Sequence, residues 1–487
     1  MRSKSWAASC LGAPRWLVLG ALLYLQGTGV IFAQDEDRAA IHPDPILSSR
    51  SEPVPLDPSL NPNPHPEESI AREGERAEVA KPPQSPPKSH AQPADTACVL
   101  VCTIMALLMT PAVGLFYSGM VRRKNALATF QKAFILSGVI TLYWVLIGYS
   151  LAFNPDGMMG GVIGGLGWAG LSNVGLEPHP GYAPNIPHQL FATFQLAIAI
   201  LAPALITGAI VDRMRFGPFL VFALLWMAFV YAPVTHWILS PEGWLNRWGA
   251  LDFGGGLFVH VAAGFSALAC AAVLGKRKGF GVEVLPPHNL LLTALGAALL
   301  GFGWLGWSVG NARGAGPSAV TALLTTLIAA GTSQLSWGLV EYLYEGRKTC
   351  LGTITGAVAG LVAITPASGY VSPFGAIAIG AAVGPICYAA MRIKTRLKVD
   401  DSLDVFAVNG IGGLVGVLAL GVLAVPSESG TAHAGGLIYG KADLFLAQAM
   451  AVVAVAGFSS LATFALILAI DRLIGIPVLR SITSLSR

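Results

Sequence analysis

Charge is scarce in this chain. Asp, Glu, Lys and Arg together make up 11% of its 487 residues against 54% hydrophobic, and the mean hydropathy is +0.63. A soluble protein of this length needs many more charged side chains to solvate its surface, which excludes a soluble globular fold and predicts a polytopic membrane protein. Cysteine is also scarce: there are six, with no CxxC and no Cys/His ligand spacing. A disulfide framework or a zinc site therefore has no basis in the sequence, and no cofactor or metal is expected. Cys98 and Cys102 fall on one helix face, where free cysteine acts as a small buried hydrophobe. No basic patch interleaved with aromatics is present, so nucleic acid is not an expected partner. HExxH and paired-aspartate motifs are absent from the apolar segments, which argues against an intramembrane enzyme.

The chain has glycine (57 residues) and long apolar runs instead. Arg2, Lys4 and Arg15 precede "WLVLGALLYLQGTGVIFA" and then "QDEDR". This is a signal-peptide pattern over 1–33 with cleavage after Ala33, the alternative being an uncleaved anchor. Residues 34–94, with "KPPQSPPKSH", are too rich in Pro, Ser, Glu and Lys to bury a core and read as a disordered, exported tether.

Apolar stretches long enough to span a bilayer then recur over 97–121, 129–153, 189–211, 217–238, 252–274, 289–310, 318–342, 350–369, 372–391, 404–425 and 444–470. Basic clusters follow alternate spans, at Arg122–Lys124, Arg213 and Arg215, Lys276–Lys278, Arg347 and Lys348, Arg392–Lys398, and Arg472. By the positive-inside rule the N-terminus lies outside and the C-terminus in the cytoplasm. That requires an odd number of spans, and eleven satisfies it. The membrane domain is expected over 95–475, with a short cytoplasmic tail at 476–487. Gly356 with Gly360, Gly380 with Gly384, and Gly412 with Gly416 have the spacing that lets helix backbones approach closely.

Two ionisable residues stand out in "LDFGGGLFVHVAAG". Asp252 precedes span five, and His260 follows it by eight residues. Span ten, entering from the opposite face after "VDDSLDVFAVNGIGG", places Asn409 eight residues beyond Asp401. At about 1.5 Å per residue each polar group lies roughly 12 Å inward. In a core about 30 Å thick both groups therefore approach the midplane. Two halves related by an inverted repeat have this signature, with the polar site at their interface. Each residue keeps a plainer reading beside the functional one. The aspartates suit helix capping, and a lone histidine can be a satisfied core residue.

The stretches "ADTACVLVCTIMALLMTPAVGLFYSGMVRRKN", "GYSLAF", "GALDFGGGLFVHVAAG", "GKRKGFG", "PHNL", "TPASGY" and "VDDSLDVFAVNGIGGLVG" together resemble the ammonium transporter/Rhesus family, in one order over about 95–475. The resemblance implies a fold of eleven transmembrane helices, an inverted 5+5 repeat plus a final helix. It also implies a homotrimer in the cell (inner) membrane and a narrow hydrophobic path through each subunit. Ammonium would be recruited at an outer aromatic site, pass a phenylalanine gate, lose a proton and travel past two histidines. A cytoplasmic regulatory protein is a further partner that the resemblance admits.

Carried over by position, His260 matches the first histidine, Asp252 the outer aspartate and Phe194 the outer gate phenylalanine. The chain departs from the family elsewhere. Asn409 stands for the second histidine, Ile198 and Trp307 for the inner gate phenylalanines, Leu239 for the outer tryptophan and Asn311 for the serine of the cage. Trp237, Trp244 or Trp248 could supply an aromatic face or simply anchor at the membrane surface. An asparagine cannot take a proton at physiological pH. Two functions are therefore expected in order: an ammonium/ammonia transporter or channel, then a sensing or non-conducting member of the same scaffold. The short C-terminus supplies no fused kinase or cyclase for the second.

Overall fold

The computed structural model describes residues 90–158, 161–283, 286–426 and 435–476. The expected signal peptide, nearly all of the tether and the tail beyond Ile476 lie outside the described residues.

Among the described residues, eleven apolar helices follow one another. They are α1 (Pro93–Met120), α2 (Arg123–Phe153), α3 (His188–Ala209), α4 (Phe216–Arg247, interrupted by a turn over 240–243), α5 (Gly256–Leu274), α6 (Leu290–Gly310), α7 (Pro317–Glu345), α8 (Cys350–Ile364), α9 (Pro373–Arg396), α10 (Phe406–Leu423) and α11 (Ala442–Leu473). All but α8 are long and apolar enough to cross a membrane. A short antiparallel hairpin, β1 (Pro178–His179) and β2 (Ala183–Pro187), precedes α3. The molecule is a multi-pass membrane protein built as two inverted halves, α1–α5 and α6–α10, with α11 packed across α5 and α10. Outward-facing side chains such as Leu142, Leu146, Val453 and Leu461 are exposed and apolar, as a surface bathed in lipid requires. By contrast, α3 and α5 are surrounded by protein on nearly all sides.

Local chemistry sets the helix ends. Asn289, Thr349 and Ser372 each accept a backbone N–H from the first turn of α6, α8 and α9. Pro317 and Pro373 take the first helical position, where a missing N–H costs nothing. Pro93 does the same for α1, which therefore begins two residues inside the segment expected to be disordered, and Gln92 N–H reaches Asn185 O at 2.7 Å.

Two of the spans that fall short of the apolar pattern show why. The run over 350–369 predicts a full crossing, but α8 stops at Ile364, because Pro366 has no N–H with which to continue the hydrogen-bond ladder. Its fifteen residues rise only about 22 Å. Span five was expected from Asp252, but α5 begins at Gly256. The intervening Gly255 has φ 116°, a conformation that only glycine adopts freely.

The small-residue stripes serve close packing. A Cβ on Gly360 or Gly380 would strike Ala329 of α7, one on Gly356 or Gly384 would strike Trp337 or Ser336 of α7, and one on Gly416 would strike Ala363 of α8. Where α5 crosses α10, a Cβ on Gly264 would overlap the backbone of Gly410. The two helices that carry His260 and Asn409 therefore meet backbone to backbone.

Candidate functional site

Both crossing helices start with a wide π-helical turn, Gly256–Val261 in α5 and Phe406–Ile411 in α10. Such turns are rare and concentrate at functional sites. Each is anchored by an aspartate just upstream. Asp252 is buried, and its Oδ1 accepts Gly255 N–H and Gly256 N–H at 2.7 Å each while Oδ2 accepts Leu257 N–H at 2.7 Å. Asp401 Oδ2 accepts Phe406 N–H at 2.8 Å. Both carboxylates thus satisfy first-turn donors, the role that capping predicts.

The π turns bring His260 and Asn409 together. His260 Nδ1 lies 3.1 Å from Asn409 Oδ1, with His260 wholly buried and Asn409 nearly so. The imidazole stacks on Trp304, centroids 5.2 Å apart and planes at 10°, and Trp307 closes a second side at 5.4 Å. Trp304 is itself held by its indole N–H, which donates to Thr365 Oγ1 at 2.9 Å in the segment that follows α8. An imidazole Nδ1 facing an amide oxygen must carry the hydrogen. The other ring nitrogen, Nε2, then presents a lone pair, and it has no partner among the described residues. Asn409 also borders a cavity of about 150 Å³ whose lining includes Tyr117, Leu205, Trp304, Glu341, Tyr388 and Asp404.

Phe194 is buried on α3, and its ring occupies the space beside Gly310 that a Cβ would need. Ile198 follows one turn further and is equally buried. Asn311 folds its amide back to donate to Trp307 O at 2.8 Å, so it ends α6. Leu239 is partly buried at the last residue before the turn in α4. The neighbouring tryptophans point elsewhere. Trp237 packs on Phe458 of α11 at 4.7 Å and donates to Val162 O, Trp244 packs on Trp237, and Trp248 on Trp244. They do not join His260 and Asn409. Trp304 does, although sequence reasoning did not single it out. Its signal was the helical spacing of three residues to Trp307, which puts both indoles on one face.

A second polar group lies around Asp400 and Asp401, beyond the start of α10. Arg277 Nε and Nη2 donate to Asp400 at 3.0 and 2.9 Å. Arg213, more deeply buried than Arg277, lies 4.0 Å from Asp400 and donates to Gly275 O and Ser402 Oγ. Lys394 pairs with Asp404 and lies 3.8 Å from Asp401 Oδ2. Three cations of the basic clusters that predict topology are therefore also structural, tying the loops after α3, α5 and α9 together.

With this geometry in view, comparison with known proteins is direct. Residues 97–482 match the model of the Ammonium Transporter Family. The chain is 44% identical over 377 residues to an ammonium transporter of Bacillus subtilis (strain 168), covering 77% of this chain and 91% of that protein. It is 41% identical over 384 residues to ammonium transporter Amt1 of Archaeoglobus fulgidus, covering 79% and 94%. The crystal structure of Saccharomyces cerevisiae Mep2 superposes with a TM-score of 0.75 at 33% identity, covering 80% of this chain and 90% of that one. A structure titled "Sensor Amt Protein" gives 0.72 at 26%, covering 79% and 94%. Buried helices crossing at His260 and Asn409, on a scaffold and a sequence shared with these proteins, make this chain a member of the ammonium transporter family.

Proposed function

We propose that the protein moves ammonium nitrogen across the membrane as ammonia. Ammonium is recruited at the mouth near Phe194 and Asn311, gives up its proton, and passes between Ile198 and Trp307 to the His260–Asn409 pair and the cavity beyond. The observation that carries this reading is the 3.1 Å contact between His260 Nδ1 and Asn409 Oδ1, with Nε2 left as an acceptor under two indoles. Stripping water from an ammonium ion in so apolar a passage is far more costly than admitting neutral ammonia. An imidazole acceptor can receive a substrate N–H at the one polar station there.

Asn409 sets the limit of the chemistry. Its amide fixes the hydrogen on Nδ1 and cannot pass a proton onward. Transport is therefore expected to be closer to electroneutral, or slower, than through a pair of histidines. Asp252 and Asp401 support the site by holding the two π turns. The topology read from the basic clusters, with the N-terminus outside, the C-terminus in the cytoplasm and the inner membrane as location, completes the proposal, together with a homotrimeric assembly, a cleaved signal peptide and a tether dispensable for folding. The names of the relatives favour transport over enzyme activity. A sensing role is the second reading, favoured by the similarity to the structure titled "Sensor Amt Protein".

Electrophysiology on the reconstituted protein with ammonium and methylammonium pulses tests the proposal. His260→Ala should abolish transport, and Asn409→His should raise the ammonium-dependent current or change its pH dependence. Uptake that survives His260→Ala unchanged, with Asn409→His silent, would leave His260 a structural residue and sink the conduction reading.

A further inference from the structure

Arg313 follows α6 in the loop to α7 and is a cation set among aromatics. Its backbone is left-handed, φ 57°, with its N–H on Gly310 O at 3.0 Å, a conformation uncommon for any residue but glycine. From there the guanidinium lies 5.5 Å from the centroid of the Phe191 ring, and Nη1 donates to Tyr182 O at 2.9 Å. Phe191 is three residues before Phe194 and shares its helix face. Phe194 in turn packs beside Gly310, three residues before Arg313. Among the described residues no carboxylate oxygen lies within 4.0 Å of the guanidinium.

A guanidinium stays charged under all physiological conditions. One face of an aromatic ring attracts a cation within about 6 Å, and a face already covered by arginine is closed to a second. Two like charges in a poorly hydrated mouth also repel much more strongly than in bulk water.

We infer that Arg313 is a specificity-determining residue, a resident cation that covers the Phe191 face and raises the concentration at which a substrate cation fills the mouth, without affecting neutral ammonia. The inference deepens the proposed function and rests on its placing the substrate's entry beside Phe194. It also gives a physical sense to the partly buried Leu239 and the folded-back Asn311, since a mouth occupied by its own cation has less use for further cation-attracting groups.

The test uses the purified full-length protein, Arg313→Gln and Arg313→Lys, with methylammonium as the probe. Equilibrium binding is read by intrinsic tryptophan fluorescence, and uptake is read in reconstituted vesicles. Glutamine can still donate to Tyr182 O but carries no charge, so its half-saturation should fall roughly 3- to 10-fold. Lysine should stay within about two-fold of the parent, and added salt should narrow the gap between parent and Arg313→Gln. An unchanged or raised half-saturation in Arg313→Gln overturns the inference, and so does a lowered melting temperature in both variants with weakened binding, the result expected of a mere staple between hairpin and α3. Tightened binding in Arg313→Gln with no uptake by any form upholds the arginine and overturns conduction. No binding by any form overturns both.

Discussion

The two aspartates that introduce the crossing helices are alike in sequence and unlike in surroundings. Asp252 spends its whole carboxylate on three backbone N–H groups, with no ion pair among the described residues. Asp401 bonds Phe406 N–H through Oδ2 alone, and its Oδ1 has no hydrogen-bond partner among the described residues. Around it stand Lys394, Asp404, Asp400 and two arginines. A single device, a carboxylate holding open a π turn, is thus balanced by backbone dipoles at one end and by side-chain charges at the other. The difference matters because the backbone-satisfied end shapes only its own π turn, whereas the ion-paired end also fastens neighbouring loops to one another.

Removing a charge from the paired end should have the largest effect. In Asp400→Asn the buried Arg213 and the half-buried Arg277 lose their shared partner, and an uncompensated buried charge such as that of Arg213 costs about 3–5 kcal/mol. Thermal unfolding in detergent should show a fall of that order, and a change within error would mean that the network is decorative. The contrast between the aspartates comes next. Asp252→Asn leaves an amide facing three donors, one of which must go unpaired, at about 2–3 kcal/mol. Asp401→Asn keeps an oxygen for Phe406 N–H, and Lys394 retains Asp404, so about 1 kcal/mol is expected. Equal losses in the two variants would break the comparison.

The smallest effect concerns the hairpin beside α3. Burial pushes the pKa of His179 below its ordinary value, and its ring lies 4.8 Å from that of His188. A group whose folded pKa is depressed adds stability above its unfolded value, about 6.5, and loses it as pH falls through the folded value. Melting temperature should therefore drop below about pH 6.5, and His179→Asn should flatten that drop. A profile identical in both proteins would remove His179 from the account.

The sequence was most legible where one physical term dominates. Long apolar runs at low charge announce the spans, because nothing else explains so much hydrocarbon. The spacing of Asp252 to His260 and of Asp401 to Asn409 marks the crossing helices, because helical rise is nearly constant. It was less legible where several terms compete. Pro366 cut α8 short within an unbroken apolar run, and Trp237 turned toward Phe458 instead of toward the histidine. The basic clusters signalled topology, but nothing local told that Arg213 and Arg277 converge on Asp400, 187 and 123 positions away.

The amino-acid sequence by itself determined the membrane class, the family, the number of apolar helices and the polar residues set in their interior. Each follows from composition or from spacing along one chain. Only the tertiary structure decided that Asn409 hands its amide oxygen to His260, that Trp304 forms a wall of that site, and that Arg313 bends back over Phe191. Those contacts join residues far apart in the chain through π turns, glycine crossings and a left-handed loop, and such backbone choices are settled by packing rather than by any local preference.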